Sequence, residues 1–204
     1  MDASADGRLH ARIRTVISDR STAPGLQRAR EGKLDTVTVE RGTYPDSETF
    51  ENDLAMSIES AQPDLVVLAG FMRVLRPEFV NRFAGQMINI HPSLLPRHKG
   101  LETHRRALEA GDAEHGASVH FVTPNLDGGP VLAQIRMPVR ADDTPQSLAD
   151  RLLPLEHQLL VDSVALFAQQ RVQCRDEQIL LDNQILGRPV EPGHGLPGRA
   201  GHGG

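Results

Sequence analysis

The 204-residue chain contains no tryptophan, one tyrosine and a single cysteine, Cys174. One cysteine excludes a framework of disulfides within the chain, which is typical of proteins in a reducing compartment. No apolar run approaches the roughly 20 residues that a membrane-spanning helix requires. The polar N-terminus lacks the apolar core of a secretory signal peptide. We therefore expect a cytoplasmic protein without a membrane partner.

Charge and composition narrow the class further. The net charge is -5, which lacks the basic surface of nucleic-acid-binding proteins, so we expect small molecules as partners and no nucleic acid. The hydrophobic fraction of 39% is sufficient for a core of ordinary size in one domain, present as a monomer or homodimer. Because Gly and Pro dominate the end of the chain, we expect a folded domain over 1–186 and a disordered tail over 187–204.

Segments with the apolar pattern of strands alternate with segments of helical pattern. The predicted strands are 12–18, 34–39, 64–70, 86–90, 117–122 and 131–139, with a late hairpin over 171–182. The predicted helices are 23–33, 47–61, 76–84, 102–111 and 144–170. This alternation predicts an α/β fold with a doubly wound, mostly parallel sheet.

Three local features sharpen this prediction. The nearly continuous apolar run 64–70 is typical of a strand buried on both faces of a parallel sheet. Ser47 is a candidate N-cap for the helix that follows it. Pro154 predicts a kink or break in the long last helix.

Ligands of doubly wound sheets bind beyond the carboxyl ends of the strands. At one such end, "QMINIHPSLLPRHKG" places Asn89 and His91 at the close of a predicted strand. An amide and an imidazole are suited to stabilising an oxyanion at a carbonyl under attack, and one such donor contributes roughly 10²–10³ in rate. Asp127, in "NLDGGP", is followed by two glycines that permit close approach, so we expect its carboxylate to raise the pKa of a nearby His91.

No activated nucleophile and no strong metal-binding spacing accompanies these residues. The indicated chemistry is polarisation and proton transfer on a bound carbonyl, without covalent catalysis and without a metal. Structural interpretations stay open: Asn89 and Asp127 as turn residues, His91 as a histidine held by the backbone. By the same reasoning His120 is expected to be structural and Glu156 to be a solvated charge.

Four segments decide between these interpretations when taken together. "PDLVVLAGFMRVL", "INIHPSLLP", "HRRALEAGDAEHGASVHFV" and "LDGGPVLAQ" occur in that order. They closely resemble the folate-dependent phosphoribosylglycinamide formyltransferase family, and the likeness covers roughly residues 7–170. The resemblance implies transfer of a formyl group from 10-formyltetrahydrofolate to the amine of glycinamide ribonucleotide in purine biosynthesis.

The resemblance also implies individual roles. Asn89 would hydrogen-bond the formyl oxygen, His91 would act as general acid, and Asp127 would raise the pKa of His91 and relay the amine proton through water. Ser118 would support the Asn–His pair. The implied folate-binding residues are Met72, Arg73, Val74, Leu75, Asn89, Thr123, Pro124, Asn125, Leu126 and Asp127. The implied ribonucleotide-binding residues are Leu153, Pro154, Leu155 and Glu156, with Glu156 directed to ribose hydroxyls.

Departures from the family pattern lead to further expectations. The family normally opens with a strand and a loop that binds the substrate phosphate at a helix N-terminus, and the likeness here begins after both. We expect an N-terminally truncated chain with weak phosphate binding and apolar surface exposed where that first strand is missing. Ser47, Lys99 and Pro124 replace common residues of the family, which is expected to change affinity more than chemistry.

Other functions remain possible from the sequence. Hydrolysis of 10-formyltetrahydrofolate would put water in place of the amine, although Pro92 differs from the residue that such hydrolases carry after the histidine. A non-catalytic folate-binding remnant would keep residues 72–75 and lose turnover. A formyltransferase acting on methionyl-tRNA is excluded by length and charge, since it needs a further tRNA-binding domain.

Overall fold

A computed structural model describes residues 1–191 of the chain. The helices are α1 (Asp2–Ala5), α2 (Pro24–Glu31), α3 (Ser47–Ser60), α4 (Pro77–Arg82), α5 (Thr103–Glu109) and α6 (Pro145–Ala168), with a 3₁₀ turn at Arg41–Thr43. The strands are β1 (Val16–Ser18), β2 (Thr36–Thr38), β3 (Val66–Leu68), β4 (Met87–His91), β5 (Glu114–Phe121), β6 (Val131–Pro138), β7 (Val172–Arg175), β8 (Gln178–Leu181) and β9 (Gln184–Ile185).

The strands form three sheets, and the predicted α/β fold is confirmed. β1 and β2 form a parallel pair, β3 to β6 form a four-stranded sheet in chain order, and β7 to β9 form a small antiparallel sheet. Within the four-stranded sheet β3 and β4 are parallel, whereas β4–β5 and β5–β6 are antiparallel. Every predicted strand and helix is observed, most of them shorter than predicted.

The larger core lies between the four-stranded sheet and α6. Leu148, Leu152 and Leu159 recur at helical spacing on α6 and are fully buried against strand residues such as Val119. The helix continues through Pro154, so of the predicted kink or break the break is wrong. Burial of Leu152 and Leu159 on either side of the proline keeps both halves of the helix on one core. No helix in residues 1–191 has the length and hydropathy of a membrane span.

A second core cluster joins α3 and α4 to the first strands. Phe50, Leu54 and Ile58 recur every four residues on α3 and are buried. The cap of this helix differs from the prediction: Asp46 is the N-cap, and its carboxylate accepts the backbone N–H of Thr49 at 2.8 Å. Ser47 is the first helical residue, so its predicted capping role is wrong. A carboxylate at this position also compensates the positive end of the helix dipole.

The edge of the four-stranded sheet lies at β3. The prediction that this strand is buried on both faces is wrong, since Val67 is 38% exposed. In the described sheet β3 pairs with β4 alone. β1 is likewise an edge strand of its own pair. An ion pair at 2.5 Å between Asp19, after β1, and Arg73, after β3, joins the two edges.

The end of the described chain is more ordered than its composition predicted. Val190 forms a parallel bridge with Ala133, with hydrogen bonds of 2.9 Å from Val190 N to Leu132 O and from Gln134 N to Val190 O. The predicted tail over 187–204 is therefore wrong for residues 187–191. Residues 192–204 lie outside the described residues.

Substitution of Gly116 by alanine tests the packing of β5. A Cβ there would lie 2.0 Å from Ile135 O and 2.7 Å from Leu94 Cδ2. Since neither backbone strand can yield easily, we expect a loss of about 1–3 kcal/mol in the free energy of unfolding, measured with urea. Gly25→Ala in α2, with nothing within 4 Å of its Cβ, is the control and should be neutral or slightly stabilising. Equal stability of both variants would contradict this packing.

Candidate active site

Two neighbouring strands present polar side chains on one face. Asn89 and His91 are two residues apart on β4, so their side chains share a face, while Ile88 points into the core and is fully buried. β5 runs antiparallel to β4 with His120 opposite Asn89 and Ser118 opposite His91. The register of this single strand pair therefore assembles four polar side chains.

Asp127 reaches this face from the loop between β5 and β6. The turn requires a glycine at 129, because a Cβ there would lie 2.0 Å from Phe121 O. Asp127 itself has a left-handed backbone with φ of 44°. Its carboxylate lies 3.5 Å from His91 Nδ1 and 3.6 Å from His120 Nε2. The structure thus brings Asn89, His91 and Asp127 together, as the sequence suggested.

The tautomer of His91 follows from its hydrogen bond. Its Nε2 lies 3.0 Å from the carbonyl oxygen of His98. A carbonyl can only accept, so Nε2 carries the proton and Nδ1 faces Asp127 with a lone pair. Burial lowers the pKa of His91, and the His98 carbonyl and the Asp127 carboxylate act to raise it without compensating. The carboxylate thus acts in the predicted direction, but the net pKa is lowered, since desolvation exceeds the effect of the neighbouring charge.

For Asp127 the effects that lower the pKa exceed the effect of burial, which raises it. Burial acts to raise its pKa, but the contacts with His120, the hydrogen bond from the Gly100 backbone N–H and the nearby His91 together outweigh burial, and the pKa lies below its usual value. The Gly100 N–H donates to Asp127 Oδ2 at 2.8 Å. At neutral pH an ionised carboxylate therefore faces a neutral imidazole nitrogen. A proton that binds to Nδ1 of His91 would also be stabilised by the negative charge of Asp127. The pair is therefore suited to accept a proton from a ligand.

Sequence reasoning treated His120 as structural, but the structure places it within the site. Its Nδ1 lies 2.9 Å from Phe121 O and therefore donates there, which leaves Nε2 of the neutral ring as an acceptor. Asn89 Nδ2 donates to that Nε2 at 3.2 Å. This bond orients the amide and leaves its second N–H for an incoming oxygen. The available signal was the spacing of Ser118 and His120, which places both on the face shared with Asn89.

Ser118 supports the chain that follows His91. Its fully buried hydroxyl donates to Ser93 O at 2.7 Å and accepts from Leu95 N at 3.0 Å. It also accepts from Gln134 Nε2 at 2.9 Å. The side chain therefore fixes the path of residues 93–95 and acts on the Asn–His pair only through that path.

Residues 1–164 match the family model described as formyl transferase. The chain belongs to the formyl transferase family. It is 43% identical over 186 residues to the phosphoribosylglycinamide formyltransferase of Escherichia coli (strain K12), covering 91% of this chain and 88% of that protein. The structure of phosphoribosylglycinamide formyltransferase from Coxiella burnetii matches with a TM-score of 0.88 and 41% identity, over 93% of this chain and 90% of that one. A formyltetrahydrofolate deformylase from Pseudomonas putida matches at TM-score 0.77 and 29% identity, over 88% of this chain and 63% of that one.

The segment that the formyltransferase likeness assigns to folate follows β3. Because β3 is parallel to β4, the carboxyl ends of both strands lie at the same end of the sheet. Residues 72–75, which follow β3, therefore leave the sheet at the end where His91 lies. Met72 and Val74 are 70% and 73% exposed, whereas Leu75 is buried. Arg73 is engaged with Asp19. The segment therefore presents apolar side chains to solvent beside a polar site.

The loop over 123–127 adds to this exposed apolar surface. Leu126 is 53% exposed, whereas the side chain of the adjacent Asp127 is 10% exposed. Thr123 Oγ1 contacts Asn125 O at a long 3.4 Å, and Pro124 and Asn125 complete the turn. One short loop thus offers both an apolar side chain and the carboxylate of the site.

The segment that the likeness assigns to the ribonucleotide lies on α6, at Leu153 to Glu156. Leu153 and Pro154 are exposed and Leu155 is half-buried. Glu156 is not the fully solvated charge that was expected: it is partly buried, and burial raises its pKa. Within residues 1–191 no hydrogen bond or ion pair joins this segment directly to Asn89, His91 or Asp127.

A second histidine pair joins α5 to β5. His104 Nδ1 and His115 Nε2 are 3.0 Å apart, so one ring donates and the other accepts. Burial lowers the pKa of both rings, and the adjacent His104 contributes to bringing the pKa of His115 to about 4. The unfolded chain therefore binds more protons than the folded one between about pH 4 and 6.5.

Stability should consequently fall as the pH drops through this window. We expect the free energy of unfolding to decrease between about pH 7.5 and pH 5, and His115→Gln to reduce that decrease by about 1 kcal/mol. The measurement is urea unfolding at both pH values. His10→Gln, at an exposed histidine, is the control and should behave as the wild type. An identical pH dependence in His115→Gln and wild type would show that this histidine does not contribute.

Proposed function

We propose that this formyl transferase moves the formyl group of 10-formyltetrahydrofolate onto the primary amine of glycinamide ribonucleotide, in purine biosynthesis in the cytoplasm. The observation that carries the proposal is the convergence of an amide donor, a neutral buried imidazole and an ionised carboxylate at Asn89, His91 and Asp127. Relatives named phosphoribosylglycinamide formyltransferase, similar over most of this chain, support the same substrates.

Asn89 is the proposed oxyanion donor. One N–H of its amide is held by His120 at 3.2 Å, which orients the second N–H without need for rearrangement. As the amine attacks the formyl carbon, the carbonyl double bond becomes a single bond and negative charge develops on oxygen. A donor that is already oriented stabilises this charge more than it stabilises the neutral carbonyl, which lowers the barrier.

His91 and Asp127 are the proposed proton carriers. A primary amine is largely protonated at neutral pH and must lose a proton before it can attack. The unprotonated Nδ1 of His91, 3.5 Å from the Asp127 carboxylate, is the acceptor in the protein for that proton. The imidazolium so formed then serves as the general acid toward the oxyanion. It takes this proton back when the carbonyl double bond re-forms, and releases it to water as His91 returns to the neutral form. The second amine proton moves to the folate nitrogen as its bond to the formyl carbon breaks, with Asp127 and water as the relay.

The exposed apolar surface formed by Met72, Val74 and Leu126 is the proposed folate site. Met72, Val74 and Leu126 offer flat contacts for the pterin ring, and the backbone of residues 72–75 offers hydrogen bonds to its polar edge. Burying these side chains under a ring would gain roughly 25 cal/mol per Å² of apolar surface. Glu156 is the proposed acceptor for ribose hydroxyls, since two O–H donors would satisfy a carboxylate that is already partly desolvated.

Substrate dependence tests this function against its alternatives. We expect release of tetrahydrofolate from 10-formyltetrahydrofolate by the purified chain only when glycinamide ribonucleotide is present, because the amine is the acceptor. The measurement is the absorbance change of the folate with and without the ribonucleotide. Equal release without it would contradict the transferase and favour a hydrolase, and folate binding without turnover would favour a non-catalytic protein.

Substitution of the three central residues tests their roles. We expect Asn89→Ala to lower kcat by about 10²–10³ through loss of the oxyanion donor, and His91→Ala and Asp127→Asn to lower it by roughly 10²–10⁴ through loss of proton transfer. Steady-state kinetics measure the loss, and circular dichroism checks the fold. Asn81→Ala and His10→Ala change the same residue types at exposed positions and should retain activity. Undiminished turnover in Asn89→Ala or His91→Ala would refute the assigned roles.

A further inference from the structure

Residues 98–100, which we term the clamp loop, contact both members of the proton-accepting pair. The His98 carbonyl oxygen accepts the Nε2–H of His91 at 3.0 Å. Two residues later the Gly100 N–H donates to Asp127 Oδ2 at 2.8 Å. The relative placement of His91 and Asp127 therefore depends on the path of three residues.

The clamp loop has an unfavourable backbone at its first residue. His98 has φ of 51°, in the left-handed region that non-glycine residues seldom occupy. In this conformation its carbonyl contacts His91 while its side chain contacts Asp112 on the other side. A strained conformation of this kind persists only when its surroundings hold it.

The contact of the His98 side chain with Asp112 holds the backbone of His98 in this conformation. Its Nε2 lies 2.7 Å from Asp112 Oδ2, and the two side chains are 13% and 14% exposed. Asp112 is itself fixed just after α5 by a hydrogen bond from its N–H to Ala107 O at 3.1 Å. Arg97 also donates to Asp112, at 3.1 Å, but its side chain is 66% exposed. The short, enclosed contact to His98 is therefore the stronger of the two.

We propose that His98 and Asp112 are positioning residues that fix the tautomer of His91. Their contact holds the clamp loop so that the His98 carbonyl keeps the proton of His91 on Nε2 and leaves Nδ1 free. Without it the backbone of His98 relaxes, the carbonyl turns away, and Nδ1 of His91 takes the proton and donates it to Asp127. In that tautomer Nδ1 is occupied and cannot receive the amine proton, so the kinetic consequence rests on the proposed function.

Nuclear magnetic resonance of the histidine ring nitrogens tests the tautomer directly. The full-length chain is labelled with ¹⁵N at histidine and measured at about pH 7.5, with His91→Gln assigning the His91 signals. We expect the Nε2–H tautomer alone in the wild type and a mixture of tautomers in His98→Phe and Asp112→Ala. The phenylalanine ring fills the space of the imidazole without a hydrogen bond.

His98→Gln is the matched rescue, since its amide N–H reaches the position of the imidazole Nε2. We expect it to keep the wild-type tautomer, and Arg97→Ala to do so as well, because the Asp112–His98 contact remains. If His98→Phe and Asp112→Ala fail to fold, the tautomer of His91 measured in His98→Gln still tests the proposal. A mixture of tautomers in His98→Gln, or the Nε2–H form alone in a folded His98→Phe, would overturn the proposal.

Kinetics give the second measurement. His98→Phe should lower kcat roughly tenfold or more, because the His91 ring is misplaced. The KM for folate should stay close to that of the wild type, because the residues proposed to contact folate are unchanged. His98→Gln should restore kcat. Equal changes in kcat and KM would indicate a general loss of structure and contradict a positioning role. Because the tautomer is measured without substrates, an inactive wild-type chain would refute the proposed function and leave the positioning role testable.

Discussion

The chemistry of the site depends on one contact, the 3.5 Å approach of the Asp127 carboxylate to Nδ1 of buried His91. Burial favours the neutral imidazole, whereas hydrogen bonds from the protein favour the ionised carboxylate. Two groups that both accept a proton are thereby held together away from water. Such an arrangement is costly unless the surrounding structure fixes it, so most polar contacts around it serve to hold these two groups in place.

The fold provides that support from three directions. The β4–β5 register places Asn89 and His91 opposite His120 and Ser118. A glycine turn at 129 lets the loop after β5 press against the strand end. The clamp loop closes the site from the third side. The sheet that carries β4 and β5 is packed in turn against the core under α6.

Periodicity and motif were sufficient to predict the α/β fold, and to bring Asn89, His91 and Asp127 into one site. Features that depend on cross-strand register were not visible: His120 was taken as structural because nothing local to it indicates Asn89 as its partner. The raising effect of Asp127 on the pKa of His91 was predicted, but the larger lowering by burial was not, since the degree of burial is a property of the packed fold. The disordered tail was placed too early because composition does not reveal that Val190 pairs with Ala133.

The protonation state of His91 in the free protein tests this description most directly. A ¹⁵N-detected titration of the full-length chain should show His91 neutral near pH 7, with a midpoint below the usual value of 6.5. Replacing Asp127 by asparagine should lower that midpoint further, because the carboxylate is the neighbouring charge that raises it. A midpoint above 6.5 in the wild type, or no change on removing the carboxylate, would contradict the description of His91 and Asp127 as a proton-accepting pair.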